Sequence, residues 1–281
     1  MSSRQVRIES VEFGAETLPI IAGPCVIESR DHVLMMAESI QKIAGKLEIP
    51  FIFKASFDKA NRTAGTAFRG PGIDQGLQIM AEVKSQFNVP VIIDIHLPEQ
   101  AALVAEVADA IQIPAFLCRQ TDLLVSAAET GRPVNIKKGQ FLAPSDMSNA
   151  VRKIEQTGSN QILITERGVQ FGYNNLVTDL RSIPIMQATG YPVIFDATHS
   201  AQLPGGLGSE SDGLRQYIPH VARGAVAAGC DGVFLEVHDN PAAALSDAAT
   251  QWPLSQLERF LSELKQLRSV VCQFDAKEQV E

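Results

Sequence analysis

Eight apolar, β-rich runs recur along the chain, at 18–24, 50–55, 89–95, 110–115, 133–137, 162–166, 192–197 and 232–237. The gaps are filled by stretches whose apolar residues return every three or four positions: 30–47, 74–87, 98–108, 119–130, 145–157, 179–189, 212–229 and 253–267. A short run that is apolar throughout suits a strand buried on both faces, and the three-to-four spacing suits a helix with one face on a core. Asp31, Asp74, Ser145 and Asp179 stand near the starts of four helical stretches as candidate caps. Eight such alternations within 281 residues predict a parallel (β/α)8 TIM barrel, a fold that typically occupies about 250 residues. An open doubly wound sheet competes, but no run leads into a Gly-rich dinucleotide fingerprint, since Gly70-Pro-Gly72 and Gly205-Gly206 fall in loops. Ahead of the first run, Val6 and Ile8, then Val11 and Phe13, flank Glu9-Ser10, which predicts a β-hairpin over 4–13 acting as a lid or plug. No Gly/Ser linker interrupts the pattern, so 1–281 is expected to be a single barrel domain.

Charge and cysteine usage narrow the function classes. Twenty-four basic against 32 acidic residues give a formal charge of −8, which argues against nucleic acid or an anionic membrane as main partner. No apolar run approaches the roughly 18 residues needed to cross a bilayer, and Met1 to Arg7 lacks the apolar core of a signal peptide, so a cytoplasmic location is expected. Cys25, Cys118, Cys230 and Cys272 are too dispersed for a disulfide framework or a zinc knuckle.

A barrel of this kind carries its chemistry at the carboxyl ends of its strands. Those ends hold Cys25; Lys54 and Ser56; Asp94 and His96; Gln112 and Ala115; Lys137 and Lys138; Arg167; His199; and Glu236 and His238. Two sets separate by residue type. Lys54, Lys59, Arg62, Lys137 and Arg167 form a cationic arc suited to a ligand with a carboxylate and more than one phosphate. Cys25, His199, Glu236 and Asp247 offer a thiolate, an imidazole and two carboxylates, a mixed donor set for a divalent ion with positions left open. Asp247 alone would also serve as a helix cap, and His32, on an outer helix, is expected to be structural. On residue chemistry the site also suits a metal-dependent hydrolase of phosphate esters.

Five segments carry a family resemblance over nearly the whole length: Ile21-Ala-Gly-Pro-Cys-Val-Ile-Glu-Ser29, Phe53-Lys-Ala-Ser-Phe-Asp-Lys-Ala-Asn-Arg-Thr63, Arg69-Gly-Pro-Gly72, Phe195-Asp-Ala-Thr-His-Ser200 with Gln202-Leu-Pro-Gly-Gly206, and Leu245-Ser-Asp-Ala248. The chain resembles the 3-deoxy-D-manno-octulosonate 8-phosphate synthases, barrel enzymes that condense phosphoenolpyruvate with D-arabinose 5-phosphate and release phosphate. Related aromatic-pathway synthases take erythrose 4-phosphate and usually carry Lys-Pro-Arg-Thr in the second-strand loop. Lys59-Ala-Asn-Arg-Thr63 favours the pentose phosphate. By the same resemblance, Cys at position 25 with Ser246-Asp247-Ala248 marks the metal-dependent class, with Cys25, His199, Glu236 and Asp247 as ligands of iron, zinc, manganese or cobalt. Phosphoenolpyruvate falls to Lys54, Ser56, Gln112, Ala115, Lys137, Arg167 and His199. The sugar phosphate falls to Asn61, Arg62 and Thr63, with Asp94 and Gln140 near its hydroxyls. Lys59, His199 and Asp247 are the implied catalytic residues, and a homotetramer serving lipopolysaccharide synthesis is the implied setting. Two departures stand out: Ala64 where many relatives have Ser, and Val237-His238-Asp239 in place of a small residue, His and Pro.

Overall fold

The structure, a computed structural model, describes residues 4–62, 64–205 and 212–278, the side chains of 275–278 excepted. Parallel strands β3 (Ile20–Gly23), β4 (Phe51–Lys54), β5 (Val91–Asp94), β6 (Ala110–Ile113), β7 (Val134–Lys137) and β8 (Ile162–Glu166) pair in chain order, after a short antiparallel hairpin of β1 (Val6–Ile8) and β2 (Val11–Phe13). Beyond them, β9 (Val169–Gln170) and β10 (Leu176–Val177) form a loop hairpin; β11 (Val193–Asp196) pairs with β8; and β12 (Gln202–Leu203) pairs with β13 (Asp212–Gly213). The last long strand, β14 (Gly232–His238), bonds to both β11 and β3, which closes the ring of eight as expected, and β15 (Trp252–Pro253) adds to its end.

Strand side chains point alternately to the two faces of a sheet, and here the faces have different jobs. Ile20, Phe53, Ile93, Ile136, Ile164, Phe195 and Leu235 face outward into one core shared with the helices. Ile21, Ile52, Ile92, Ala110, Leu163, Ile194 and Phe234 form a second cluster, which also contains Val6, Ile8, Val11 and Phe13 of the hairpin. The hairpin is therefore a plug in the barrel interior. Two residues further along the strands the same alternation presents Gly23, Lys54, Asp94, Gln112, Thr165, Asp196 and Glu236, so the inner surface turns from apolar to polar towards the carboxyl ends. Polar side chains link neighbouring strands there: Asn135 Nδ2 donates to Gln112 Oε1 at 3.1 Å, and Thr165 Oγ1 donates to Asn135 Oδ1 at 2.7 Å. Gly23 has no alternative, because a Cβ at that position would lie 1.9 Å from the Lys54 carbonyl oxygen.

The helices are α1 (Arg30–Lys46), α2 (Ile73–Phe87), α3 (Gln100–Ala105), α4 (Thr121–Glu129), α5 (Met147–Glu155), α6 (Ser182–Gln187), α7 (Ile218–Ala227) and α8 (Leu254–Glu278). Apolar periodicity located all eight but not their ends. The expected 212–229 helix begins only at Ile218, since Asp212–Gly213 is taken by the pairing with Gln202–Leu203. The cap of α1 is Ser29, which accepts the His32 N–H at 3.2 Å, and Asp31 sits inside the first turn. Asp74 likewise lies in the first turn of α2, after Gly72, and Ser145 belongs to a 3-10 turn before α5. Asp179 accepts the Arg181 N–H at 3.0 Å just ahead of α6. No helix among the described residues is long and apolar enough to cross a membrane.

Candidate active site

The carboxyl ends of the strands surround a cavity of about 640 Å³. Lys54, Lys59, Asn61, Arg62, Asp94, Gln112, Ala115, Lys137, Gln140, Arg167, His199, Glu236 and Asp247 all line it. Cys25 and Ser56 are fully buried and do not line the cavity: Cys25 contacts Ser246 and Asp247, and Ser56 bridges Lys54 to Asp94. Thr63 lies outside the described residues.

At one side of this cavity Cys25, Glu236 and Asp247 bring a sulfur and two carboxylate oxygens within 4.8 Å of one another. His199 Nε2 stands beside this group, 3.4 Å from Glu236 Oε2 and 3.5 Å from Asp247 Oδ2. Glu236 is wholly buried, yet its Oε2 has no hydrogen-bond partner, an unusual state for a carboxylate oxygen and one that a bound cation would relieve. The four donors thus fit a divalent ion. Burial, followed by the neighbouring Glu236 charge, pushes the Cys25 thiol well above its ordinary value. Asp247 holds its place with φ of 47°, in the left-handed region that costs a residue with a Cβ conformational energy, a strain common at functional sites.

Facing this group are buried cations. Lys54, 1% exposed, donates to the Cys25 carbonyl at 3.1 Å, Ser56 Oγ at 2.9 Å and Glu236 Oε1 at 3.2 Å. Lys137 pairs with Asp196 and stands 3.3 Å from the centroid of the Phe234 ring; burial, against the attraction of Asp196, lowers its ammonium to about 8. Arg167 has one buried guanidinium nitrogen, Nη1, without a partner. Lys59 Nζ is 3.7 Å from Glu236 Oε1; burial works against its charge but is outweighed by Cys25, Glu236 and Asp94, so it stays well above its ordinary value. At the other flank Arg62 donates to Ser246 Oγ and the Leu245 carbonyl, both at 2.9 Å.

Residues 4–273 match the DAHP synthetase I family. Over 270 residues the chain is 56% identical to the 2-dehydro-3-deoxyphosphooctonate aldolase of Geobacter metallireducens, covering 96% of this chain and 99% of that protein. The proteins of the same name from Cyanothece sp. and Nitratidesulfovibrio vulgaris are each 58% identical, covering 90% and 89% of this chain and 92% of each relative. The chain belongs to the 2-dehydro-3-deoxyphosphooctonate aldolase family.

Some residues around the cavity were not singled out by the sequence. Asp196 is fully buried and accepts His199 Nδ1 at 2.7 Å, the His199 N–H at 2.9 Å, Thr198 Oγ1 at 3.1 Å and the Lys137 ammonium. These donors hold its carboxyl far below the usual range despite burial, and Asp196 and Glu236 in turn keep His199 above its ordinary value although burial opposes the charge. Gln202 ties the two halves of the site together: its Oε1 accepts Arg167 Nη2 at 2.6 Å and its Nε2 donates to Asp247 Oδ2 at 3.0 Å. Gln251 accepts the Cys25 N–H at 3.3 Å and donates to the Ser246 carbonyl at 2.8 Å. Asp196 and Gln202 lay within motifs already singled out, but nothing in the sequence gave them partners. Conversely, besides Cys25 and Ser56, two more residues named at the strand ends do not line the cavity. Lys138 turns to Glu166, 3.4 Å away, and to the Gly168 carbonyl, and His238 faces Glu28 and Asp239.

Proposed function

We propose that this chain condenses phosphoenolpyruvate with D-arabinose 5-phosphate and water, giving 3-deoxy-D-manno-octulosonate 8-phosphate and inorganic phosphate. The observation that carries the reading is one cavity with two cationic flanks, Lys54, Lys137 and Arg167 on one and Arg62 on the other, set against Cys25, His199, Glu236 and Asp247. Relatives named for this product-type aldolase activity, at 53–58% identity, support it.

In this reading Lys54, Lys137 and Arg167 offset the charge of phosphoenolpyruvate, with Ser56 supporting Lys54 and Gln112, Ala115 and His199 completing the wall. Asn61, Arg62 and Thr63 take the sugar phosphate, and Asp94 and Gln140 its hydroxyls. Fixing two anions side by side removes the entropy cost of their encounter, which contributes much of the rate. Lys59, held protonated, donates to the aldehyde oxygen as C3 of phosphoenolpyruvate attacks, and water then adds at C2 before phosphate departs. Cys25, His199, Glu236 and Asp247 are the proposed ligands of a divalent ion, iron, zinc, manganese or cobalt. When bound, such an ion supplies Lewis acidity towards an aldehyde or water oxygen. His199 is oriented for this by Asp196, which accepts a hydrogen bond from Nδ1 and leaves Nε2 facing Glu236 and Asp247. A homotetramer in the cytoplasm, serving lipopolysaccharide biosynthesis, belongs to the same proposal; exposed Phe141, Phe171 and Tyr173 would suit contacts between copies.

The test is an end-point assay of phosphoenolpyruvate with arabinose 5-phosphate, erythrose 4-phosphate or no sugar, each with and without chelator. Phosphate release and octulosonate product are expected with the pentose phosphate alone, and chelation should abolish both. Phosphate release without any sugar would overturn the reading in favour of a hydrolase.

A further inference from the structure

A second group of metal-ligating side chains lies apart from the cavity, and none of its members lines it. Glu28 follows β3, His32 stands in the first turn of α1, and His238 ends β14. One carboxylate oxygen of Glu28 and one ring nitrogen from each histidine lie within 4.8 Å of one another. His238 is only 3% exposed, and its Nε2, 3.3 Å from Glu28 Oε1, has no hydrogen-bond partner. His32 Nδ1 is also buried without a partner. The two rings lie 4.6 Å apart at 36°.

The opposite ring nitrogens are held from behind. Asp239 Oδ1 is 3.1 Å from His32 Nε2 and 3.0 Å from His238 Nδ1. A carboxylate behind a liganding imidazole fixes the tautomer that leaves the other nitrogen free for the ion. His238 Nδ1 accepts the Asn240 N–H at 3.0 Å; an ion on Nε2 would put the proton on Nδ1 towards Asp239 and pass the Asn240 N–H to the same carboxylate.

We propose that Glu28, His32 and His238 form a second divalent-cation site, distinct from the Cys25 group, taking an ion of the zinc type through two imidazole nitrogens and one carboxylate oxygen. A four-coordinate ion would keep one position for water. The site is connected to the cavity through one loop. Glu28 Oε1 accepts the Leu245 N–H at 2.8 Å, the Leu245 carbonyl and Ser246 Oγ hold Arg62, and Asp247 follows directly. An ion on Glu28 therefore fixes the segment that presents both Asp247 and the anchors of Arg62.

The experiment counts Zn²⁺ bound per chain after equilibrium dialysis of the metal-stripped full-length protein, by elemental analysis. A parallel Co²⁺ titration reads the thiolate-to-cobalt absorption, which only a Cys25-ligated ion produces. Wild type should bind two Zn²⁺ per chain; His32→Gln and Glu28→Gln should each bind one and keep the thiolate absorption. Both changes lie at partly exposed positions, and circular dichroism confirms that each variant is folded. A wild-type count of one that both variants retain, or a count of two in both variants, would overturn the proposal. Loss of an ion in His32→Gln and Glu28→Gln with no thiolate absorption in any form would support this site while refuting the Cys25 reading.

Discussion

Replacing Asp196 by Asn changes one charge at nearly constant volume. In the native chain Oδ1 accepts Thr198 Oγ1 and the His199 N–H, and Oδ2 accepts His199 Nδ1 and Lys137 Nζ. An Asn carbonyl can keep the first pair. Its NH2 group then meets two further donors, His199 Nδ1–H and the Lys137 ammonium, so the second pair is lost and a buried cation is left without its counterion. Removing one partner of a buried ion pair costs about 3–5 kcal/mol. At about 2–4 °C per kcal/mol for a chain of this size, the melting point should fall by roughly 6–20 °C. The assay is urea and thermal unfolding of the metal-stripped protein, which keeps binding energy out of the comparison. Metal affinity, measured separately, should fall by roughly 10–100-fold because His199 loses the acceptor that orients it. A metal-stripped variant within about 0.5 kcal/mol of wild type, the ordinary range of a surface substitution, would refute the assignment of Asp196 as the counterion that holds Lys137 and His199.

Because burial holds Lys137 down to about 8, it loses its charge as pH rises through that value. The kcat/KM for phosphoenolpyruvate should therefore fall up to tenfold per unit above pH 8, and Lys137→Arg should move this limb upward, since a guanidinium stays charged. Stability follows the opposite sign: the unfolded lysine binds the proton more tightly, so this group's contribution rises with pH between about 8 and its ordinary 10.5. A flat rate profile to pH 10 would contradict the role of its charge. Phe13→Ala should cost about 3–5 kcal/mol in unfolding experiments, because Phe13 is fully buried within the barrel plug, while leaving kcat nearly unchanged at permissive temperature. An effect on kcat larger than that on stability would mean that the plug shapes the site.

Alternation of apolar strands and amphipathic helices was enough to read the barrel, because each strand must be buried on both faces and each helix on one. The hairpin was also legible, since Val6, Ile8, Val11 and Phe13 alternate with Arg7 and Glu12 to leave one apolar face, but only the packed barrel decided between lid and plug. Helix ends were not, because the Ser29 side-chain cap, the positive φ of Gly72 and the pairing of Asp212 with Leu203 leave no mark in apolar spacing.

For the site, residue type and position at strand ends singled out Lys54, Asp94, Lys137, Arg167 and Glu236, since the two-residue period sends alternate side chains inward. Tertiary structure alone decided which strand-end residues turn inward and which turn away: Lys137 lines the cavity while Lys138 pairs with Glu166, and His238 joins Glu28 and His32 outside it. It also supplied Asp196 and Gln202, whose importance rests on partners from distant segments, such as Lys137 for the one and Arg167 and Asp247 for the other. A sequence fixes the donors and acceptors that a chain possesses, whereas only closure of the barrel brings those that lie far apart along it within hydrogen-bonding distance.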